Sequence, residues 1–263
     1  MRVTILGCGG SGGVPMIGGA DGTGAWGDCD PAEPRNRRTR SSILVESGGA
    51  TILVDTSPDL RQQLLRTRAA DLNAVLFTHG HADHVHGIDE LRAVKWHRGT
   101  EVDVYGTADT MAKLERRFSY VFKGAGLYTP TAVSHVFDGP FMVDGVHVRP
   151  FEQGHGDETT VGYRIGDMAY STDVVALDEP AFAVLDGVAL WIVDCLRLTP
   201  HPTHAHFDLV LEWIARVKPR HTVLTHLSAA LDYRTLAAQC PAGVEPAYDG
   251  MVLDTGTVGC GAV

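Results

Sequence analysis

Residues 77–87 read FTHGHADHVHG, and no other stretch restricts the fold of this chain so tightly. His79, His81, Asp83, His84 and His86 fall within eight positions, directly after the apolar run NAVLF. Neutral imidazole and carboxylate are ordinary ligands of zinc and related divalent metals. A lone His-x-His suits a solvated, histidine-rich loop. The full spacing His-x-His-x-Asp-His suits it poorly, because NAVLFTH reads as a buried strand and DHVHGIDELRAVKWH has a helical period. A strand end feeding a helix start lets side chains converge on one point.

The rest of the chain supplies strands and helices to frame such a point. RVTIL at 2–6 reads as a strand ended by the glycines from Gly7 to Gly13. Residues 13–40 carry no apolar period and read as an extended loop, ordered throughout or mobile in part. SSILVES and ATILVDT are β-branched runs separated by Gly-Gly, a hairpin signal. Ser57 reads as an N-cap with Pro58 at the first helical position. VDVYG at 102–106 is a strand, followed by a helix near 108–118. MVDGVHVRPF and TTVGYRIGDMAYSTD read as hairpins turning at Asp144-Gly145 and Gly166-Asp167. ALWIVDC at 189–195 and HTVLTHLS read as strands, FDLVLEWIARV as an amphipathic helix, 232–239 as a further helix and GMVLD as a last strand. Two β-rich halves with helices outside predict two sheets packed face to face and covered on both sides.

Composition narrows the function. A net charge of −10 over 263 residues disfavours binding by broad phosphate-backbone neutralisation, so nucleic acid is a poor partner. Cys8, Cys29, Cys195, Cys240 and Cys260 include no Cys-x-x-Cys pair, which suits a reducing compartment. No apolar run approaches a membrane span, and the apolar stretch before Cys8 is too short for a signal peptide. A cytoplasmic location is expected.

THGHADH resembles the His-x-His-x-Asp-His motif of the metallo-β-lactamase fold superfamily, and the likeness runs over nearly the whole chain. It implies an α/β four-layer αββα sandwich forming one domain over residues 1–263. It also implies later ligands, for which His155 in FEQGHGDE, Asp173 ending MAYSTD and His226 in VLTHLS stand in the right order. By this resemblance His79, His81 and His155 hold one divalent ion, and Asp83, His84 and His226 hold a second. Asp173 bridges the two. Zinc and manganese are the metals expected, and two such cations generate hydroxide at neutral pH and neutralise a phosphate under attack. The flanks TILGCGGSGGVP, WGDCDP, NRRTRSSILVE and AHFDL resemble the ribonuclease Z-like branch that contains the phosphoribosyl 1,2-cyclic phosphate phosphodiesterase of the carbon–phosphorus lyase pathway. The function implied is hydrolysis of a small cyclic or nucleotide-like phosphodiester. A ribonuclease Z-like tRNA 3′-processing nuclease and a non-catalytic metal- or partner-binding module are the alternatives, and homodimerisation is left open.

Beyond the ligands, Asp83 and His206 are the expected catalytic residues. His206 matches a histidine the phosphodiesterase places near the substrate phosphate, where it either protonates the leaving alkoxide or binds the phosphate; capping the following helix is the structural alternative. His86 has no matching position. Arg35, Arg37, Arg38 and Arg40 form a basic cluster that contacts either an anionic substrate or surface carboxylates. The glycine-rich opening lacks the helix and the acidic residue of a dinucleotide fingerprint, so its glycines are read as letting the loop approach the metal rim. The phosphodiesterase also carries a structural zinc on three cysteines and a histidine. Here only Cys29 remains, and Ala229 stands three residues after His226, so no third ion is expected.

Overall fold

A computed structural model describes residues 1–255, and Cys260 lies outside the described residues. The first half runs β1 (Arg2–Gly7), β2 (Ser42–Ser47), β3 (Ala50–Val54), α1 (Leu60–Thr67), β4 (Ala74–Leu76), α2 (Ala82–Val85), α3 (Leu91–Arg98), β5 (Val102–Gly106), α4 (Ala108–Arg117), α5 (Ser119–Lys123) and β6 (Ala132–Val136). The second runs β7 (Phe141–Val143), β8 (Val146–His155), β9 (Glu158–Ile165), β10 (Met168–Ser171), α6 (Glu179–Leu185), β11 (Leu190–Asp194), α7 (Phe207–Val217), β12 (His221–Thr225), α8 (Tyr233–Gln239), β13 (Val244–Pro246) and β14 (Val252–Asp254).

These strands build two seven-stranded sheets, ordered β14-β1-β2-β3-β4-β5-β6 and β13-β12-β11-β10-β9-β8-β7. Side chains alternate between the two faces of each strand. In β2, Ile43 and Val45 join the core between the sheets, where Ile52, Val161, Tyr163 and Ile165 meet them. Leu44 points the other way and packs with Leu53 under Leu60, Leu91 and Leu114 of the first sheet's helices. Trp191, Val193 and Leu224 do the same under Leu185, Val210 and Leu236 on the second sheet. The layers are therefore αββα, as the resemblance implied. None of the described helices is long and apolar enough to cross a membrane.

Two bonds cross between the sheets at the strand that matters most. Tyr163 of β9 donates its hydroxyl to the Phe77 carbonyl at 2.6 Å, and Val161 N donates to the Thr78 carbonyl at 3.0 Å. They tie β9 to the segment just past β4, where the histidine cluster begins.

Some local expectations give way to tertiary contacts. The helix expected to open at Ser57 begins at Leu60: Ser57 is in a turn, its hydroxyl accepting from Asp59 N at 3.1 Å and its carbonyl from Leu60 N at 2.9 Å. The loop over 13–40 is ordered by pairing, with Val14 and Arg38 exchanging two backbone bonds of 2.9 Å. The four arginines separate. Arg35 meets Glu33 at 2.8 Å and stacks on Tyr233, and Arg40 meets Asp59 at 3.0 Å. Arg37 is exposed and lies over Trp26. Arg38 is buried at 2% exposure and binds no carboxylate.

Tyr163→Phe removes the donor and leaves the buried Phe77 carbonyl unpaired. It should lower stability by about 1–2 kcal/mol, measured by urea denaturation. An unchanged midpoint would show that this cross-sheet bond holds nothing together.

Candidate metal centre

The cluster sits where strands end. Asp55 follows β3, His79 and His81 follow β4, Asp173 follows β10 and His226 follows β12. β3 is parallel to β4, and β10, β11 and β12 run parallel, so these residues all leave their sheets at carboxyl ends, where open α/β sheets bind ligands. Asp55, Asp173 and His226 have φ of 64°, 52° and 56°, half of the six non-glycine residues with positive φ among the described residues. Left-handed backbone at a non-glycine residue costs energy and gathers at functional sites.

Six of the seven expected ligands are buried or nearly so, and the set falls into two groups. His79, His81, His155 and Asp173 place ligand atoms within 4.8 Å of one another, and so do Asp83, His84, Asp173 and His226. Asp173 belongs to both. His84 Nε2 lies 3.0 Å from Asp173 Oδ1, and His79 Nε2 and His155 Nε2 lie 3.7 and 3.8 Å from Asp173 Oδ2. His81 is the outermost, its Nε2 3.3 Å from Glu158.

Each buried imidazole is turned by an outer partner. His84 Nδ1 donates to Asp55 Oδ2 at 2.7 Å. The Thr78 hydroxyl donates to the same carboxylate at 2.8 Å, so its oxygen accepts from His79 Nδ1 at 3.0 Å. His155 Nδ1 donates to the Thr203 carbonyl at 2.7 Å. Ser41 and Thr172 spend their hydroxyl protons on the Gly9 carbonyl and Asp173, and both oxygens accept from His226 Nδ1, at 3.2 and 3.3 Å. In every case Nδ1 carries the proton and Nε2 keeps its lone pair, the tautomer a metal needs.

The residues fit divalent cations. His79 Nε2 is buried without a hydrogen-bond partner, and His84 Nε2 faces the carboxylates of Asp173 and Asp83 at 3.0 and 3.3 Å. Burial holds the His79 imidazole well below its usual value, so it stays neutral. Burial opposes charge on His84, yet the carboxylates of Asp173, Asp83 and Asp55 push it well above the usual range. Three carboxylates converging on one buried imidazole mark a place that calls for positive charge. Gly10 closes one side: a Cβ there would come within 3.4 Å of the His226 ring.

A further imidazole joins the cluster, and it is His204. Its ring stacks on His226 at 4.9 Å and meets His155 edge-on at 4.7 Å, so it touches a ligand of each group. His204 Nδ1 donates to Asp194 Oδ2 at 2.8 Å, and Asp194, at the end of β11, is fully buried. Burial pushes the Asp194 carboxyl well above its usual range and the His204 imidazole below its own. The structure does not bring His206 to this set. His206 occupies the N-cap position of α7 without a side-chain cap bond, and its ring makes no hydrogen bond or ring contact with the cluster. His86 is exposed and packs edge-on against Phe118. Sequence reasoning passed over Asp55 and Asp194. The signal was present: an apolar run ends in Asp at ILVD (52–55) and at WIVD (191–194).

Comparison with known proteins gives the chain its family. A family model described as a beta-lactamase superfamily domain matches residues 50–227. A crystal structure of a new diphosphatase from the PhnP family superposes with a TM-score of 0.86 at 33% identity, covering 96% of this chain and 97% of that one. Zinc-bound PqqB from Methylobacterium extorquens superposes with a TM-score of 0.72 over 97% of this chain and 100% of that one, but at 22% identity it speaks for the fold alone. An octanoyltransferase of Porphyromonas gingivalis is 35% identical over 260 residues, 95% of this chain and 51% of its own length, so this chain spans about half of that relative.

Asp55→Ala frees the rings of His79 and His84 together. Binding of divalent ions should weaken by roughly 10–100-fold, read by competition with a chelating dye. Wild-type affinity in the folded variant would remove Asp55 from this role.

Proposed function

Since the chain belongs to the beta-lactamase superfamily, we propose that it is a metal-dependent hydrolase that cleaves a P–O bond in a small phosphodiester. The observation that carries the reading is the pairing of two ligand groups sharing Asp173 with an Asp194–His204 dyad stacked across both. Two divalent ions, zinc or manganese, would be held by His79, His81, His155 and Asp173 and by Asp83, His84, Asp173 and His226; when bound they supply charge neutralisation for a phosphate and a water acidic enough to ionise near neutral pH.

The chain's own groups supply orientation and the proton. Asp194 holds Nδ1–H of His204, which aims Nε2 as the free nitrogen. The neutral ring takes up a proton from solvent when an anionic phosphate arrives beside it, because a nearby negative charge favours imidazolium. As a water oxygen bonds to phosphorus, losing its proton to solvent, the bond to the leaving oxygen breaks and His204 Nε2 gives its proton to that oxygen, with Asp194 accepting from Nδ1 throughout. Asp83 serves as a ligand and is held ionised: burial opposes this, but His84 and His226 outweigh it.

A second reading has one observation in its favour. The 33%-identical relative is described as a diphosphatase, so a phosphoanhydride is the alternative substrate, cleaved by the same machinery at P–O–P. A dinucleoside diphosphate assayed beside a ribose cyclic phosphate separates the two by kcat/KM.

An alkoxide leaves poorly without a proton, whereas p-nitrophenolate leaves unaided. His204→Ala should therefore slow an alkyl or ribose cyclic phosphodiester by about 10²–10⁴-fold and bis(p-nitrophenyl) phosphate far less, at matched metal content. His206→Ala should leave the ratio of the two rates near wild type. A ratio that moves with His206 and not with His204 would overturn the assignment.

A further inference from the structure

Among the described residues Arg38 is the second-largest fully buried side chain, and its charge has no carboxylate partner. Buried cations are ordinarily paired with an anion. Here the guanidinium gathers neutral acceptors from two distant loops. Nη1 donates to the Ser228 carbonyl at 3.0 Å and lies 3.9 Å from Cys29 Sγ. Nη2 donates to the Leu231 carbonyl at 2.7 Å and to Asn36 Oδ1 at 3.2 Å. Cys29 Sγ is itself turned to the carbonyls of Ala229 and Leu231, at 3.5 and 3.4 Å.

The loop so gripped begins at His226. Ser228 and Leu231 follow the ligand by two and five residues, and the ligand's own backbone is left-handed at φ 56°. Such backbone persists only where its surroundings impose it. Leu227 is held from one side, its N–H donating to the Cys8 carbonyl at 2.8 Å and its carbonyl accepting from Gly10 N at 3.3 Å. Arg38 holds the other side. Its neighbour Ser41, three residues on, accepts from His226 Nδ1.

We infer that Arg38 is a positioning residue for His226: a guanidinium staple that fixes the loop 226–231 and, through it, the ligand group of Asp83, His84, Asp173 and His226. It does by hydrogen bonds what a structural metal between these loops would do by coordination, and the donor set around Cys29 and Ala229 does not suit such a metal. The inference rests on the reading that the cluster holds two ions. It goes beyond that reading in assigning a residue outside the cluster to only one of them. In the other group, His79 and His155 are anchored through Thr78 and Thr203, neither of which Arg38 touches.

The test uses the full chain with Arg38→Met, which keeps length and removes every donor, and Arg38→Lys, which keeps the charge but cannot span Ser228 and Leu231. Zinc and manganese are titrated separately, and amide exchange is followed for residues 226–231 in metal-free protein. Both variants should bind one ion as the wild type does and the other roughly 10–100-fold more weakly, with faster exchange confined to 226–231. Should Arg38→Met fail to fold, Arg38→Lys carries the same expectation. Two ions at wild-type affinity with unchanged exchange would overturn the inference. A wild type that takes up no ions overturns the metal reading instead, and the exchange of 226–231 still decides whether Arg38 fixes this loop.

Discussion

Asp55 is the residue on which the site's geometry converges. It is wholly buried, sits in left-handed backbone, and accepts from His84 Nδ1, from the Thr78 hydroxyl and from Thr78 N. Because the hydroxyl must donate to it, Thr78 can only accept from His79. One carboxylate therefore sets the tautomer of a ligand in each group. Burial pushes its carboxyl above the usual range, while His84 and the Thr78 bonds pull it back. An apolar residue here would leave two imidazoles free to turn, and a ligand ring free to turn loses most of its value as a ligand.

That arrangement makes demands on the sheets. Asp55 and His84 belong to the first, whereas Asp173 and His226 come from the second. Their side chains meet within hydrogen-bond reach only if the sheets keep one register, and the bonds from Tyr163 and Val161 to the Phe77–Thr78 segment set it at the site. The packing of Ile43, Ile52, Val161 and Ile165 between the layers is less directional but buries far more surface. Hydrophobic contact brings the sheets together, and a few hydrogen bonds choose where they stop.

Much of this could be read from the sequence, for identifiable reasons. The contiguous His79–His84 spacing carries its own evidence, since its side chains are close whatever the distant chain does. Hairpins at Gly48-Gly49 and Asp144-Gly145 and the long amphipathic α7 have strong local signals and formed as read. The elements left unread, β6, α5, α6 and β13, are short and depend on neighbours for their strand or helix character. Ser57 looked like a cap because Pro58 follows it. The cap position passed to Asp59, whose carboxylate Arg40 had already taken. His204 and His206 differ by two positions in a loop with three imidazoles. What separates them is Asp194, ten residues earlier on another element, which local spacing does not reveal.

The arginines make the same point about charge. Arg35, Arg37, Arg38 and Arg40 fall within six consecutive positions and look alike as a basic run in an acidic chain. A substrate-binding patch would need several of them free at one face. Arg35 and Arg40 are already neutralised by Glu33 and Asp59, and Arg38 is sealed away from solvent. Only Arg37 remains exposed, lying over Trp26. A phosphate reaching this chain would therefore find little fixed positive charge from this run, and the inner carboxylates Asp83 and Asp173 would repel it. An acidic protein with such a cluster can hold an anion there only when cations occupy the ligand groups. Arg35, Arg40 and Arg38 direct their charge within the loops, on Glu33, Asp59 and the Ser228 and Leu231 carbonyls, and not on a shared open face.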